Sequence, residues 1–137
     1  KFIACLDAGI TPVLCIGETK EDRDDDKRTY RLKKQIASAL EGVENIRQFI
    51  VAYEPVWAIG TGNPCLPADA EDSIGFIKME LKAYTSSAIS VLYGGSVDPG
   101  NVASYVQCES IDGVLVGGAS TKQDSFISII QEVNIAV

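Results

Sequence analysis

Four short apolar runs, separated by longer segments with helical spacing, constrain the fold of this 137-residue chain more than any other feature. The runs cover residues 11–16, 49–53, 89–93 and 111–116. Continuous runs of this length are typical of strands that are buried on both faces. Strands that alternate with helices favour a parallel sheet with right-handed crossovers. We therefore predict an α/β fold of four β/α units, and we expect one domain over residues 1–137 because no linker divides them.

The segments between the runs predict helices from the spacing of their apolar residues. A first helix should end before Gly9, a suitable C-cap, and another should begin near Pro67, which suits a first helical turn. The mixed charges of residues 20–28 are typical of a solvated first turn or a loop. The predicted buried faces consist of Leu32, Ile36, Leu40 and Val43; Ile74, Ile77, Leu81 and Tyr84; Val102, Tyr105 and Val106; and Phe126, Ile130 and Val133.

The composition excludes several classes of function. A net charge of −7 disfavours nucleic acid and anionic membranes as partners, and no apolar run approaches the roughly 18 residues of a membrane span. Four widely spaced cysteines and no signal-peptide pattern favour reduced thiols in a cytoplasmic protein. The chain has no histidine, so imidazole metal sites and Ser-His-Asp triads within it are excluded.

The second run ends in a carboxylate followed by an unusually apolar loop. Pro55 stops the strand directly after Glu54, because proline lacks the N–H that a ladder needs. Residues 56–59 are too apolar for an ordinary solvated loop, and residues 60–62 read Gly-Thr-Gly, which suits a hinge. A carboxylate beneath such a lid would lose water and become a stronger base. Two simpler interpretations stay open, namely a structural ion pair for Glu54 and a core position for Trp57.

Glycine pairs end the third and fourth runs. Gly94-Gly95-Ser96 and Gly117-Gly118 lead toward predicted helices, where backbone N–H groups and the helix dipole could hold a phosphate. In an α/β barrel, a phosphate site commonly follows the last two strands. One such pair would more simply be a turn, but two pairs together with Gly60 favour phosphate binding. Glu18, at the end of the first run, is expected to make a structural hydrogen bond or ion pair, and the cysteines are expected to pack.

Four stretches together resemble the triosephosphate isomerase family: TPVLCIGET at 11–19, AYEPVWAIGTG at 52–62, YGGSV at 93–97 and DGVLVGGAS at 112–120. They occur in that family's order and spacing. Because the family forms (β/α)8 barrels of about 250 residues, the resemblance implies a single partial domain, a parallel (β/α)4 half of a TIM barrel that corresponds to its C-terminal half. It also implies a small phosphorylated triose substrate. The reaction would interconvert dihydroxyacetone phosphate and glyceraldehyde 3-phosphate without cofactor or metal.

The resemblance implies a role for each matching residue. Glu54 corresponds to the base that shuttles a proton between two substrate carbons, and residues 55–65 correspond to a closing lid. Tyr93 and Ser96 correspond to residues that latch the lid. The residues that would bind the phosphate are Gly60, Ser96, Gly117 and Gly118, and the remaining lid residues are Pro55, Val56, Trp57, Ala58, Ile59, Thr61 and Gly62.

The chain also departs from the family pattern. The asparagine–lysine pair and the histidine of the family's first half have no counterpart, and Asn63-Pro64-Cys65 replaces a Lys-Thr-Ala-like hinge. Leu66 stands where a capping Ser or Thr is usual. We therefore expect no appreciable isomerase activity from this chain alone. We also expect self-association or pairing with the missing half, and the intact family is homodimeric. The alternatives are a non-catalytic phosphate-binding or assembly module and a phosphosugar barrel enzyme of different chemistry.

Overall fold

A parallel sheet forms the centre of the protein in a computed structural model that describes residues 1–43, 46 and 48–137. The strands β1 (Val13–Ile16), β2 (Ile50–Tyr53) and β3 (Ser90–Tyr93) lie in that order. Their last residues, Ile16, Tyr53 and Tyr93, are aligned across the sheet. The parallel α/β arrangement is thus confirmed, and the residues that follow the strands meet at one edge.

The fourth predicted strand, residues 111–116, is not a regular strand, and among the residues that the structure describes the sheet has three strands where four were predicted. Val114 alone forms an isolated parallel bridge with Tyr93. Asp112 disturbs the ladder, because its carboxylate accepts the Val91 N–H at 2.7 Å while its own N–H donates to the Val91 carbonyl at 3.1 Å. Gly113 follows with a φ of +153°, which favours glycine. The segment resumes pairing when the Leu115 N–H donates to the Tyr93 carbonyl at 2.8 Å.

Helices connect the strands and cover one face of the sheet. The charged stretch begins a short helix that Thr19 and Asp22 close with a capping box, and a longer helix follows after a break. The Arg31 guanidinium holds the pKa of Asp22 at about 2 through a hydrogen bond. The helices are α1 (Phe2–Asp7), α2 (Lys20–Asp24), α3 (Arg28–Leu40), α4 (Pro67–Leu81), α5 (Val102–Val106) and α6 (Gln123–Ala136), and 3₁₀ turns occupy Val56–Ala58 and Gly118–Thr121.

The core lies between the sheet and the helices. Val51, Tyr53, Val91 and Tyr93 point into it and are fully buried. Alternate residues of a strand face opposite sides of a sheet, so Val13 and Cys15 of β1 belong to the other face, where both are exposed. This second face carries no layer of helices among the described residues, and the candidate site opens on it.

Some residues of the predicted buried helix faces are exposed in the structure or lie beyond the ends of their helices. In α6 the buried residue is Ile129, whereas Phe126 and Ile130 are 39% and 47% exposed. Of the predicted face, Val133 does pack against the core, and within the described chain α6 contacts α5 and the 3₁₀ turn Gly118–Thr121. Val43 and Tyr84 fall beyond the ends of α3 and α4, although both still pack on the core. No helix in the described ranges combines the length and hydropathy that a membrane span needs.

Candidate functional site

A cavity of about 370 Å³ opens at the edge of the sheet where the strands end. The structure brings together there the predicted base Glu54 and all four predicted phosphate-binding residues. Because these residues come from three distant parts of the chain, the cavity depends on the parallel sheet. Its lining consists of Glu54, Ile59, Gly60, Gly62, Gly94, Gly95, Ser96, Val97, Asp98, Leu115, Gly117, Gly118 and Ala119.

Glu54 is positioned by β2 and by glycines on both neighbouring strands. Its N–H donates to the Ile16 carbonyl at 2.7 Å, and its side chain is half-buried. A Cβ at Gly94 would lie 2.7 Å from Glu54 Cγ, and a Cβ at Gly17 would lie 1.8 Å from the Glu54 carbonyl oxygen. Both positions therefore need glycine to leave room for Glu54. Gly94 thus has a steric role as well as lining the cavity.

Cys15 lies beside the Glu54 carboxylate, a neighbour that the sequence reading missed. Burial and then the adjacent carboxylate raise the pKa of the Cys15 thiol. The pair arises because Cys15 aligns with Ala52 across the sheet, and Glu54, two residues further along, lies on the same face. The alternation of side chains along each strand was the available sequence signal for this pair. It predicts the contact only when the register of β1 on β2 is known.

Two glycine loops that line the cavity carry backbone N–H groups without a partner in the described chain. Among the described residues, the N–H groups of Gly95, Ser96, Gly117 and Gly118 donate to no protein acceptor. Free N–H groups at adjoining loops can bind an anion. The predicted help from long helices is absent here, because α5 begins at Val102 and a 3₁₀ turn separates Gly117 from α6.

The charged residues of the lining are both acidic. Glu54 and Asp98 contribute carboxylates, and no lysine or arginine of the described chain lines the cavity. An anionic ligand would therefore depend on backbone dipoles for attraction, or on a cation supplied from outside these residues. Nor do three or more potential metal ligands come together within the ranges described.

The first part of the lid is anchored by Trp57. Its indole Nε1 donates to Glu18 Oε1 at 2.9 Å, and the Arg23 guanidinium lies 4.2 Å from the centre of its ring. Glu18 is fully buried and also accepts the Tyr53 hydroxyl at 3.1 Å, which confirms the structural hydrogen bond predicted for it. Burial and the Glu18 carboxylate raise the pKa of Tyr53. Trp57 thus anchors the lid, and its partly buried ring also packs against the core.

The middle of the lid does not enclose Glu54 in this structure. Val56 is 51% exposed and Ile59 is 46% exposed, contrary to the apolar enclosure that the sequence suggested. Gly60 and Gly62 have φ values of +65° and +71°, which glycine adopts without steric cost. The exposed residues 59–63 therefore form the part of the lid with the greatest backbone freedom.

Both predicted latch residues contact the lid. Ser96 Oγ donates to the Ala58 carbonyl at 2.7 Å, and Tyr93 Oη accepts the Cys65 N–H at 3.2 Å. A Cβ at Gly95 would lie 2.2 Å from Tyr93 Oη, so this glycine makes room for the hydroxyl. Burial raises the pKa of the Cys65 thiol to about 12. The two contacts connect the end of β3 to both halves of the lid.

Comparisons with known proteins agree with the resemblance. The family described as triosephosphate isomerase matches residues 1–133. The chain is 44% identical to the triosephosphate isomerase of Vesicomyosocius okutanii over 134 residues, covering 94% of this chain and 54% of that protein. It is 43% identical to that of Syntrophotalea carbinolica, with 96% and 54% covered, and 44% identical to that of Aquifex aeolicus, with 95% and 54% covered. The chain spans about half the length of the curated relatives it matches.

Proposed function

The chain belongs to the triosephosphate isomerase family, and on that premise we propose that the complete protein interconverts dihydroxyacetone phosphate and glyceraldehyde 3-phosphate. One observation carries the proposal. Glu54 lines the same cavity as two glycine loops, and the N–H groups of Gly95, Ser96, Gly117 and Gly118 in those loops donate to no acceptor in the described chain. A carboxylate and an anion cradle in one cavity are what proton transfer on a small phosphorylated substrate requires.

In the proposed mechanism, Glu54 removes a proton from one substrate carbon and returns it to the neighbouring carbon through an enediol. Gly60, Ser96, Gly117 and Gly118 hold the phosphate, which fixes the distance between the reacting carbons and the carboxylate. Closure of the lid brings Ile59 over Glu54 and expels water, which makes the carboxylate a stronger base. The Ser96 hydroxyl holds Ala58 in this structure, so we assign its phosphate contact to the N–H.

We further propose that residues 1–137 are one partial domain, the C-terminal half of a (β/α)8 barrel. The parallel sheet, the half-length match to the relatives and the open second face of the sheet support this. The other half would supply the cation and the electrophile that this cavity lacks, and the complete protein would form the family's homodimer. Four free thiols support a cytoplasmic location.

The decisive test replaces Glu54 by glutamine in the complete protein. Because general-base catalysis contributes about 10²–10⁴-fold, Glu54→Gln should lower kcat by that factor and change KM little. Coupled assays in both directions would measure it. Glu41→Gln is the matched control, since Glu41 is exposed at the end of α3. If Glu54→Gln kept at least a tenth of the wild-type kcat, the assignment of the base would be wrong.

The 137-residue chain by itself should show no appreciable isomerase activity, because no lysine or arginine of the described chain lines the cavity and the sequence contains no histidine. Assay of the purified chain, alone and mixed with a separately expressed N-terminal half, would measure this. We expect activity only in the mixture. Turnover by the chain alone that disappeared in Glu54→Gln would refute the expectation.

A second candidate function is a non-catalytic phosphate-binding or assembly module. The exposed apolar residues Val13 on β1 and Phe126 and Ile130 on α6 favour it, since exposed apolar surface can serve in an interaction. The two candidates differ in a simple measurement. A module would bind inorganic phosphate as the isolated chain, and the complete protein would remain inactive as an isomerase.

A further inference from the structure

The C-terminal end of the lid is held by a second tyrosine to which neither the sequence reading nor the family comparison assigns a role. Tyr105, on α5, donates its hydroxyl to the Cys65 carbonyl at 2.6 Å. Tyr93 accepts the N–H of the same residue at 3.2 Å. Both backbone polar groups of Cys65 are therefore bound by hydroxyls from two separate elements, directly after the exposed part of the lid.

The two tyrosines form one rigid unit. Their rings stack with centroids 4.1 Å apart and planes inclined by 19°, and both side chains are buried, as is that of Cys65. The absence of a side chain at Gly95 leaves the space that the Tyr93 hydroxyl occupies. Because neither ring can shift without disturbing the other, the positions of both hydroxyls are set by the core and not by the lid.

Because these hydrogen bonds are buried, losing one of them costs more free energy than losing an exposed one. A buried carbonyl that loses its donor is left without water to replace it, so the Cys65 backbone is held most strongly in the arrangement that the tyrosines dictate. Pro64, immediately before, restricts φ and has no N–H. At the other end Trp57 is bound to Glu18. In this structure both ends of the lid are therefore held by hydrogen bonds, whereas residues 59–63 between them are exposed.

We propose that Tyr105 is a positioning residue that, together with Tyr93, clamps Cys65 and so fixes the C-terminal end from which the lid closes. The part of the proposal that concerns closure over a substrate rests on the proposed function. The clamp itself concerns only the backbone of Cys65.

Tyr105→Phe tests the clamp, because it removes one hydroxyl and keeps the stacked ring. Opening that exposes the Cys65 amide, which is bonded to Tyr93, would also break the Tyr105 bond to the Cys65 carbonyl. Removing the Tyr105 hydroxyl should therefore make hydrogen exchange of the Cys65 amide about fivefold faster in the complete protein, the effect of one neutral hydrogen bond fewer to break. The Ala52 and Leu92 amides, in the sheet, should keep their rates. Tyr30→Phe, which removes an exposed hydroxyl from α3, should leave all three rates unchanged. An unchanged Cys65 rate in Tyr105→Phe would overturn the proposal.

A kinetic measurement separates positioning from stability. A misplaced lid weakens the hold on substrate, so Tyr105→Phe should raise KM for glyceraldehyde 3-phosphate about fivefold, whereas simple unfolding would lower the apparent kcat and leave KM unchanged. A fall in kcat at constant KM would reduce Tyr105 to a structural role and refute its positioning role. If the wild-type complete protein had no isomerase activity, the proposed function would fail, and the exchange of Cys65 would still decide the clamp.

Discussion

At the scale of single residues, the absence of a side chain shapes this site as much as the functional groups do. Gly17 and Gly94 leave room for Glu54, and Gly95 leaves room for the Tyr93 hydroxyl. By contrast, a Cβ at Gly117 or Gly118 would meet no atom within 4 Å. The pairs Gly94-Gly95 and Gly117-Gly118 therefore have different structural roles. The first admits protein side chains, whereas the second borders open space that a ligand could fill.

Gly95→Ala should destabilise the fold. The new Cβ would lie 2.2 Å from Tyr93 Oη and 2.6 Å from Cζ, and the buried, stacked ring cannot move aside. Overpacking of this kind costs about 1–3 kcal/mol. Urea unfolding at unchanged m-value would measure the loss. Stability equal to the wild type would show that the tyrosine pair is looser than the structure indicates.

Gly75→Ala is the matched control and should change stability in the opposite direction. Gly75 lies inside α4, and its Cβ would meet only Ser110 Oγ, at 3.7 Å, an ordinary contact. Replacing a helical glycine by alanine stabilises by up to about 1 kcal/mol. The same urea experiment would reveal the gain, and a loss of stability would contradict it.

At the scale of helices and strands, the two helices nearest the lid begin very differently. Thr19 closes the start of α2 with a reciprocal capping box. Leu66 is the N-cap of α4, and its apolar side chain cannot accept a hydrogen bond from the first turn, so the helix has no side-chain cap. The Leu66 side chain is also 65% exposed. The helix that begins directly after the lid therefore lacks a stabilising contact that the sequence could have provided.

Leu66→Ser should stabilise the chain by about 1 kcal/mol, because the backbone of residue 66 already has the extended conformation of an N-cap and a serine oxygen can accept a free N–H of the first turn. Thermal and urea unfolding would measure it. Leu66→Ala, which removes the exposed side chain without adding an acceptor, should give no comparable gain. Equal effects of the two substitutions would assign the gain to the loss of leucine.

At the scale of the whole molecule, the open face and the exposed helix are the dominant features. Val13 lies on the uncovered face of the edge strand β1, and Phe126 and Ile130 project from α6. A sheet edge with exposed apolar residues tends to associate. The arrangement suits a protein whose remaining half, or a second copy, covers these surfaces.

The isolated chain should therefore self-associate, and charges on the open surfaces should weaken the association. Light scattering coupled to size exclusion would show a concentration-dependent mass for the wild type and a smaller mass for the double variant Val13→Glu with Ile130→Glu. Met79→Glu, which changes an exposed apolar residue of α4, should have little effect. A monodisperse wild-type monomer at high concentration would contradict the prediction.

The sequence by itself determined the alternation of the three strands with helices and placed Glu54 and the lid after β2 and Gly94-Gly95 after β3, because apolar spacing, proline and glycine act locally. Only the tertiary structure decided which distant residues meet. It paired Cys15 with Glu54 and Tyr105 with Cys65, and it reduced the fourth strand to a bridge through Asp112. Contacts of this kind depend on strand register and on packing between elements far apart in the chain, which local patterns alone do not determine.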